Sequence, residues 1–102
     1  MSLDPSRKKQ LRTIGHQLHP VVMISDRGVS EGASQELERA LEDHELIKVK
    51  LAVADPTARR ELAASLCDQH RAELVQAVGK VVLLYRKAQK PNPRLSNLMR
   101  PL

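Results

Sequence analysis

The chain has 102 residues and a net charge of +5, with 17 Lys and Arg against 12 Asp and Glu, and a sequence pI near 9.8. That length provides one domain and one two-layer core, and the absence of Phe and Trp leaves Tyr85 as the one aromatic, which excludes recognition by bases stacked on a row of rings. The lone Cys67 excludes an internal disulfide, no apolar run approaches the ~20 residues of a membrane span, and the first ten residues hold no signal-type apolar segment, so a cytoplasmic protein is expected.

Asp4-Pro5 has the form of a helix cap followed by proline in the first turn. Leu11, Ile14 and Leu18 recur at spacings of three and four, which predicts a helix over residues 5–18. Arg7, Lys8, Lys9 and Arg12 make its outer face basic. His19-Pro20 ends it, because the residue before proline disfavours helix. Val21-Val22-Met23-Ile24 reads as a short buried strand. Ser25-Asp26-Arg27-Gly28 is a loop, and Ser30 is placed to cap a helix over residues 31–44, with Ala33, Leu37, Ala40 and Leu41 as its apolar stripe.

Residues 46–53 alternate: Ile47, Val49, Leu51 and Val53 share one face, Lys48 and Lys50 the other. This predicts a strand with one covered face and one partly open. Asp55-Pro56 repeats the capping pattern and opens a helix to about residue 71, with Ala58, Leu62, Ala63, Leu66 and Cys67 inward. Residues 74–78 and 81–86 read as two strands joined by a tight turn at Gly79-Lys80. The expected architecture is α/β, of layered α+β type: helix-strand-helix-strand-helix-strand-strand around a four-stranded mixed sheet. Residues 87–102 hold Pro91, Pro93 and Pro101 among basic and polar residues and read as a flexible basic tail, leaving residues 1–86 as the domain.

The charge is unevenly placed. Residues 86–102 carry Arg86, Lys87, Lys90, Arg94 and Arg100 with no acid, whereas residues 31–45 carry Glu31, Glu36, Glu38, Glu42, Asp43 and Glu45 against Arg39. A body with one basic and one acidic face orients a polyanion.

The 25–28 loop joins a strand to a helix start, where free N–H groups and the helix dipole favour a phosphate. Gly28 permits close backbone approach or positive φ, and Arg27 adds charge. The same loop also reads as an ordinary turn. Lys48 and Lys50, two apart on a strand, are either phosphate contacts or a solvated face that guards against edge aggregation. Lys8, Lys9 and Arg12 are either an RNA-contacting helix face or a solvated one. Arg59 and Arg60 read as helix-surface charges. His16, His19, His44 and His70 match no standard ligand spacing, so no metal and no cofactor are expected. Cys67 on an apolar stripe reads as a small buried hydrophobe, and Tyr85 as core or sheet surface able to stack on one base.

Three segments carry a family resemblance in the same order: HQLHPVVMISDRGVS, ALEDHELIKVKL and AELVQAVGKVVLLYRK. They resemble the CRM domain, the chloroplast RNA splicing and ribosome maturation domain, in its stand-alone bacterial YhbY-like form. His44-Glu45-Leu46-Ile47-Lys48-Val49-Lys50 is the most specific part, and the resemblance spans about residues 5–87. It implies a fold akin to the C-terminal domain of a bacterial translation initiation factor and association with the precursor of the large ribosomal subunit. It also implies a G-x-x-G loop that contacts RNA backbone, as in KH domains. That loop falls on residues 25–28, where Ser25 replaces the first glycine and Asp26 adds an acid.

The expected function is therefore RNA binding in ribosome biogenesis, by a monomer, through Ser25, Arg27, Gly28, Lys48, Lys50, Lys8, Lys9 and Arg12, with no membrane and no small-molecule substrate. The alternative is a protein-interaction module that docks basic ribosomal proteins on the acidic second helix. No nucleophile paired with a base, no P-loop and no pair of buried carboxylates stands out in the sequence, so no catalysis is expected.

Overall fold

A helix leaves its first amides without intrahelical partners, and here three side chains in the right place accept from them. In the computed structural model, which describes residues 3–99, Asp4 accepts from the Arg7 N–H at 2.7 Å and opens α1 (Pro5–Gly15). Ser30 accepts from the Ala33 N–H at 3.0 Å and opens α2 (Glu31–His44). Asp55 accepts from the Thr57 and Ala58 N–H groups and opens α3 (Pro56–His70). The strands are β1 (Pro20–Ser25), β2 (Leu46–Ala52), β3 (Glu73–Val78) and β4 (Val81–Tyr85), in the predicted order.

The first helix is shorter than expected. It stops at Gly15, and the Gln17 and Leu18 N–H groups close a turn onto the Ile14 and Gly15 carbonyls. Pro20 biases His19 toward extended backbone, so the chain must leave the helix early. Leu18 still reaches the core as the sequence pattern requires.

The strands form one mixed sheet in the order β1-β2-β4-β3, with β1 and β2 parallel and the other two pairings antiparallel. Gly79 turns β3 into β4 at φ +57°, a conformation glycine adopts without steric cost. One face is covered by α2 and α3 and the other in part by α1, so the core has two clusters rather than one. On one face Val22, Ile24, Ile47, Val49 and Leu51 pack under Leu37 and Leu41 of α2 and Leu66 of α3. On the other, Leu11 of α1 packs with Leu46, Val75 and Leu83. Full burial of each such side chain contributes about 1.5–3 kcal/mol, which is how a chain without Phe or Trp builds its core. α1 approaches closely because Gly15 has no side chain: a Cβ there would stand 2.6 Å from Leu83 Cδ2.

The segment expected to be a free tail is instead packed against the body. Ala88, Ser96 and Asn97 are buried. The Glu45 carboxylate accepts from the Ala88 N–H at 2.9 Å and the Ser96 hydroxyl at 2.7 Å. The Asn97 side chain donates to the Leu46 carbonyl at 2.7 Å, and the Asn97 N–H to the His44 carbonyl at 3.0 Å. Residues 86–99 are a strap over the α2–β2 junction. Polar and proline-rich composition suggested mobility, but acceptors more than forty residues away fix it. Arg100 lies outside the described residues.

Candidate nucleic-acid interface

α1 covers only part of its sheet face. It sits over the end where β2 begins, on Leu46, Val75 and Leu83. Toward the end where β1 finishes, the same face stays open, with Met23 and Val78 more than half exposed. Strand alternation sends Lys48 and Lys50 to this open side, because Ile47, Val49 and Leu51 point into the opposite core. Lys48 lies between Pro20 of β1 and Leu83 of β4, and Lys50 between Met23 and Val81. Lys50 is exposed and Lys48 half-buried.

β1 runs into the 25–28 loop at the open end. The Gly28 N–H donates to the Ser25 carbonyl at 3.1 Å, and the Arg27 N–H donates to the Ser25 hydroxyl at 3.3 Å. Ser25 thus braces the turn from the position where the family pattern has its first glycine. Gly28 sits at φ +93°, and a Cβ there would meet nothing within 4 Å, so the requirement is conformational rather than steric. Asp26, Arg27 and Gly28 are exposed. Ser30 already occupies one amide of the α2 start, and Glu31 adds an acid to the first turn, so the helix dipole is a weaker attraction here than the sequence suggests.

The predicted residues do not all meet. Arg27, Gly28 and Lys50 gather at the loop end of the sheet, because Lys50 pairs with Met23, two residues before Ser25. Lys48 lies midway. Lys8, Lys9 and Arg12 are carried by α1 at the far end, where Arg7 stands 5.8 Å from the centre of the Tyr85 ring. The basic helix therefore does not adjoin the loop. The two flank the lysine pair, with β1 spanning roughly 20 Å between them. Tyr85 is half-buried under Arg7 and does not present an open stacking face.

Sequence reasoning missed the neighbours that complete the open face. His16, His19 and Gln76 line it beside Lys48. Lys80 sits at the loop end because antiparallel β4 returns its turn there, and the Lys80 carbonyl accepts from the Leu51 N–H at 2.7 Å. Only the strand order, which leaves no local trace, brings these residues together.

Other candidates have structural work. Arg59 donates to the Val53 and Ala54 carbonyls and braces the β2–α3 turn. Burial, and then the Glu73 and Asp68 carboxylates, push the Cys67 thiol up, which disfavours the thiolate a nucleophile needs. His70 is buried, with Nδ1 2.5 Å from Glu38 Oε2 and Nε2 3.5 Å from Ser34 Oγ. Among the described residues no three His, Cys, Asp or Glu side chains are grouped to hold a metal ion, and no helix is long and apolar enough to cross a membrane.

Comparison with known proteins points to one family. The sequence model of the CRS1 / YhbY (CRM) domain matches residues 3–86. A Pseudomonas aeruginosa protein named as a probable RNA-binding protein is 54% identical over 100 residues, which cover 98% of this chain and 96% of that one. An RNA-binding protein of Haemophilus influenzae is 36% identical over 94 residues, covering 92% and 95% of the two chains. The solution structure of a Staphylococcus aureus protein, described as a candidate RNA binder, superimposes with a TM-score of 0.77 at 31% identity, over 87% of this chain and 93% of that one.

Proposed function

The chain belongs to the CRS1 / YhbY (CRM) domain family, and from that premise we propose that it binds structured RNA, namely ribosomal RNA of the precursor large subunit, and assists assembly by holding it without turnover. The observation that carries the reading is the open sheet face, on which Lys48 and Lys50 lead from the basic α1 to the 25–28 loop. Cations along a shallow face without aromatic platforms suit contact with phosphates and sugars, which positions RNA without strong sequence readout. The ribosomal target rests on the family resemblance. The lone Cys67 supports a cytoplasmic site of action.

The alternative, docking of basic proteins on the acid-rich α2, loses ground on one point. Glu38, Glu42 and Glu45 already accept from Arg86, His70 and the strap, so three of the six acids on the expected docking face have partners within the chain.

A salt titration of RNA binding tests the proposal. Affinity should fall steeply with salt, and Arg27→Ala with Lys50→Ala should weaken binding and flatten the logarithmic slope by roughly 1 for each phosphate no longer neutralised. Crosslinking in cells, followed by sequencing of the attached RNA, should recover ribosomal sequences. Salt-insensitive binding would defeat the interface, and crosslinks without ribosomal RNA would defeat the target.

A further inference from the structure

A second cationic site lies on the far side of the molecule. The C-terminal half of α2, the Arg71 corner after α3 and the first residues of the strap enclose a groove of about 630 Å³. Its rim carries Arg39, Arg71, Lys87 and Lys90, all exposed. None of these four side chains makes an ion pair among the described residues. The two acids of the groove are already occupied. Glu38 receives Arg86 at 2.9 Å and the His70 ring, and Glu42 accepts the Gln89 and Lys90 backbone N–H groups at 3.2 and 3.1 Å. Cations are favoured near helix C-termini, and at the end of α3 Arg86 already meets that need, donating to the His70 carbonyl.

Arg71 is the telling residue. It closes α3 at φ +53°, the left-handed conformation in which glycine is the usual occupant. The cap itself is made by its backbone N–H, which donates to the Cys67 carbonyl. Its side chain adds nothing to that cap and lines the groove instead. A long cation thus stands where the backbone disfavours a side chain.

We propose that this groove holds phosphates of a second RNA segment, so that one copy of the protein bridges two parts of a folded RNA. The inference rests on the RNA-binding reading above and adds a second point of attachment to it. The groove lies on the α2–α3 face, at the end of the sheet where β4 finishes, whereas the 25–28 loop lies at the other end, just before the start of α2. An oligonucleotide too short to run the length of α2, 14 residues or roughly 21 Å, cannot lie on both. No exposed large hydrophobic side chain lies on the groove rim, whereas a protein partner is anchored by apolar or aromatic side chains buried at the interface. The lining suits phosphates better than an acidic peptide.

The test uses the full chain and the variant Arg71→Gly/Lys87→Ala/Lys90→Ala, whose glycine suits the left-handed backbone and so preserves the fold. Binding is measured against a short unstructured oligonucleotide and a folded ribosomal RNA fragment over a range of KCl. Two differently labelled RNA hairpins report bridging by two-colour coincidence. The variant should keep its affinity for the oligonucleotide within about twofold. It should bind the folded RNA tenfold or more weakly, with a salt slope shallower by roughly 1 per phosphate set free, and form no two-colour complexes. Unchanged slope and coincidence would overturn the bridge while leaving the first interface standing. Tight binding of polyglutamate in the groove, with RNA binding unaffected by the variant, would overturn it in favour of an acidic protein. Full retention of both properties in Arg27→Ala/Lys50→Ala would instead bring down the earlier reading.

Discussion

Glu45 follows α2 at φ +63°, with 4% of its surface exposed, and its carboxylate holds the strap. A non-glycine residue in that conformation costs of order 1–3 kcal/mol and persists where its surroundings over-determine it. Here the compensation is a buried carboxylate accepting from a backbone amide and a hydroxyl. Glu45→Ala should therefore destabilise the fold by about 3 kcal/mol, since two buried donors lose their acceptor. Glu45→Gln, which keeps an acceptor oxygen, should cost less. Urea midpoints of the two variants check the order, and equal midpoints would refute the clamp. The sequence offered His44 as the end of this helix but gave no sign of the role of Glu45. Its partners lie 43 and 51 residues away, and no local pattern connects them.

At the scale of elements, local chemistry set the starts. Asp4-Pro5, Ser30 and Asp55-Pro56 cap helices where predicted, because a cap is settled among four consecutive residues. The alternation of Ile47, Val49 and Leu51 with Lys48 and Lys50 likewise predicted the buried and open sides of β2. The pairing of a helix with a particular sheet face was not legible. Leu11, Ile14 and Leu18 announced an amphipathic α1, yet nothing local said that it would cover the face opposite α2 and α3. That placement depends on Gly15, whose absent side chain admits Leu83. Gly15→Ala gains helix propensity of up to about 1 kcal/mol but forces a Cβ against buried methyls, an overpacking of typically about 1–3 kcal/mol. A net fall in thermal midpoint is expected, and a rise would show that α1 has slack against the sheet.

For the whole molecule, the strap and α2 form one electrostatic unit. Partial burial raises the Glu38 carboxyl, but hydrogen bonds and charge from His70 and Arg86 outweigh it and hold the group below the usual carboxylate range. The Lys90 and Gln89 backbone N–H groups hold Glu42 low as well. A carboxyl depressed on folding contributes stability that is present above its unfolded value and lost as pH falls through its lower, folded value. Thermal stability should therefore decline on acidification through and below the ordinary carboxylate range, and the decline should be shallower in Glu38→Gln/Glu42→Gln. Identical acid profiles for variant and parent would show that the network does not couple to folding.

The sequence by itself determined the seven elements, their caps, the two-sided character of β2 and the family. Each is written in residues close along the chain, where spacing and side-chain chemistry act directly. The tertiary structure decided the strand order, the side of the sheet that α1 covers and the docking of the strap. It also decided which charged groups are engaged: Glu38, Glu42 and Glu45 accept from Arg86, His70 and the strap, while Lys80 and Arg71 come to stand beside surfaces their neighbours in sequence never indicated. Charge is counted along a chain but acts through space, so its net effect is fixed only once distant residues meet.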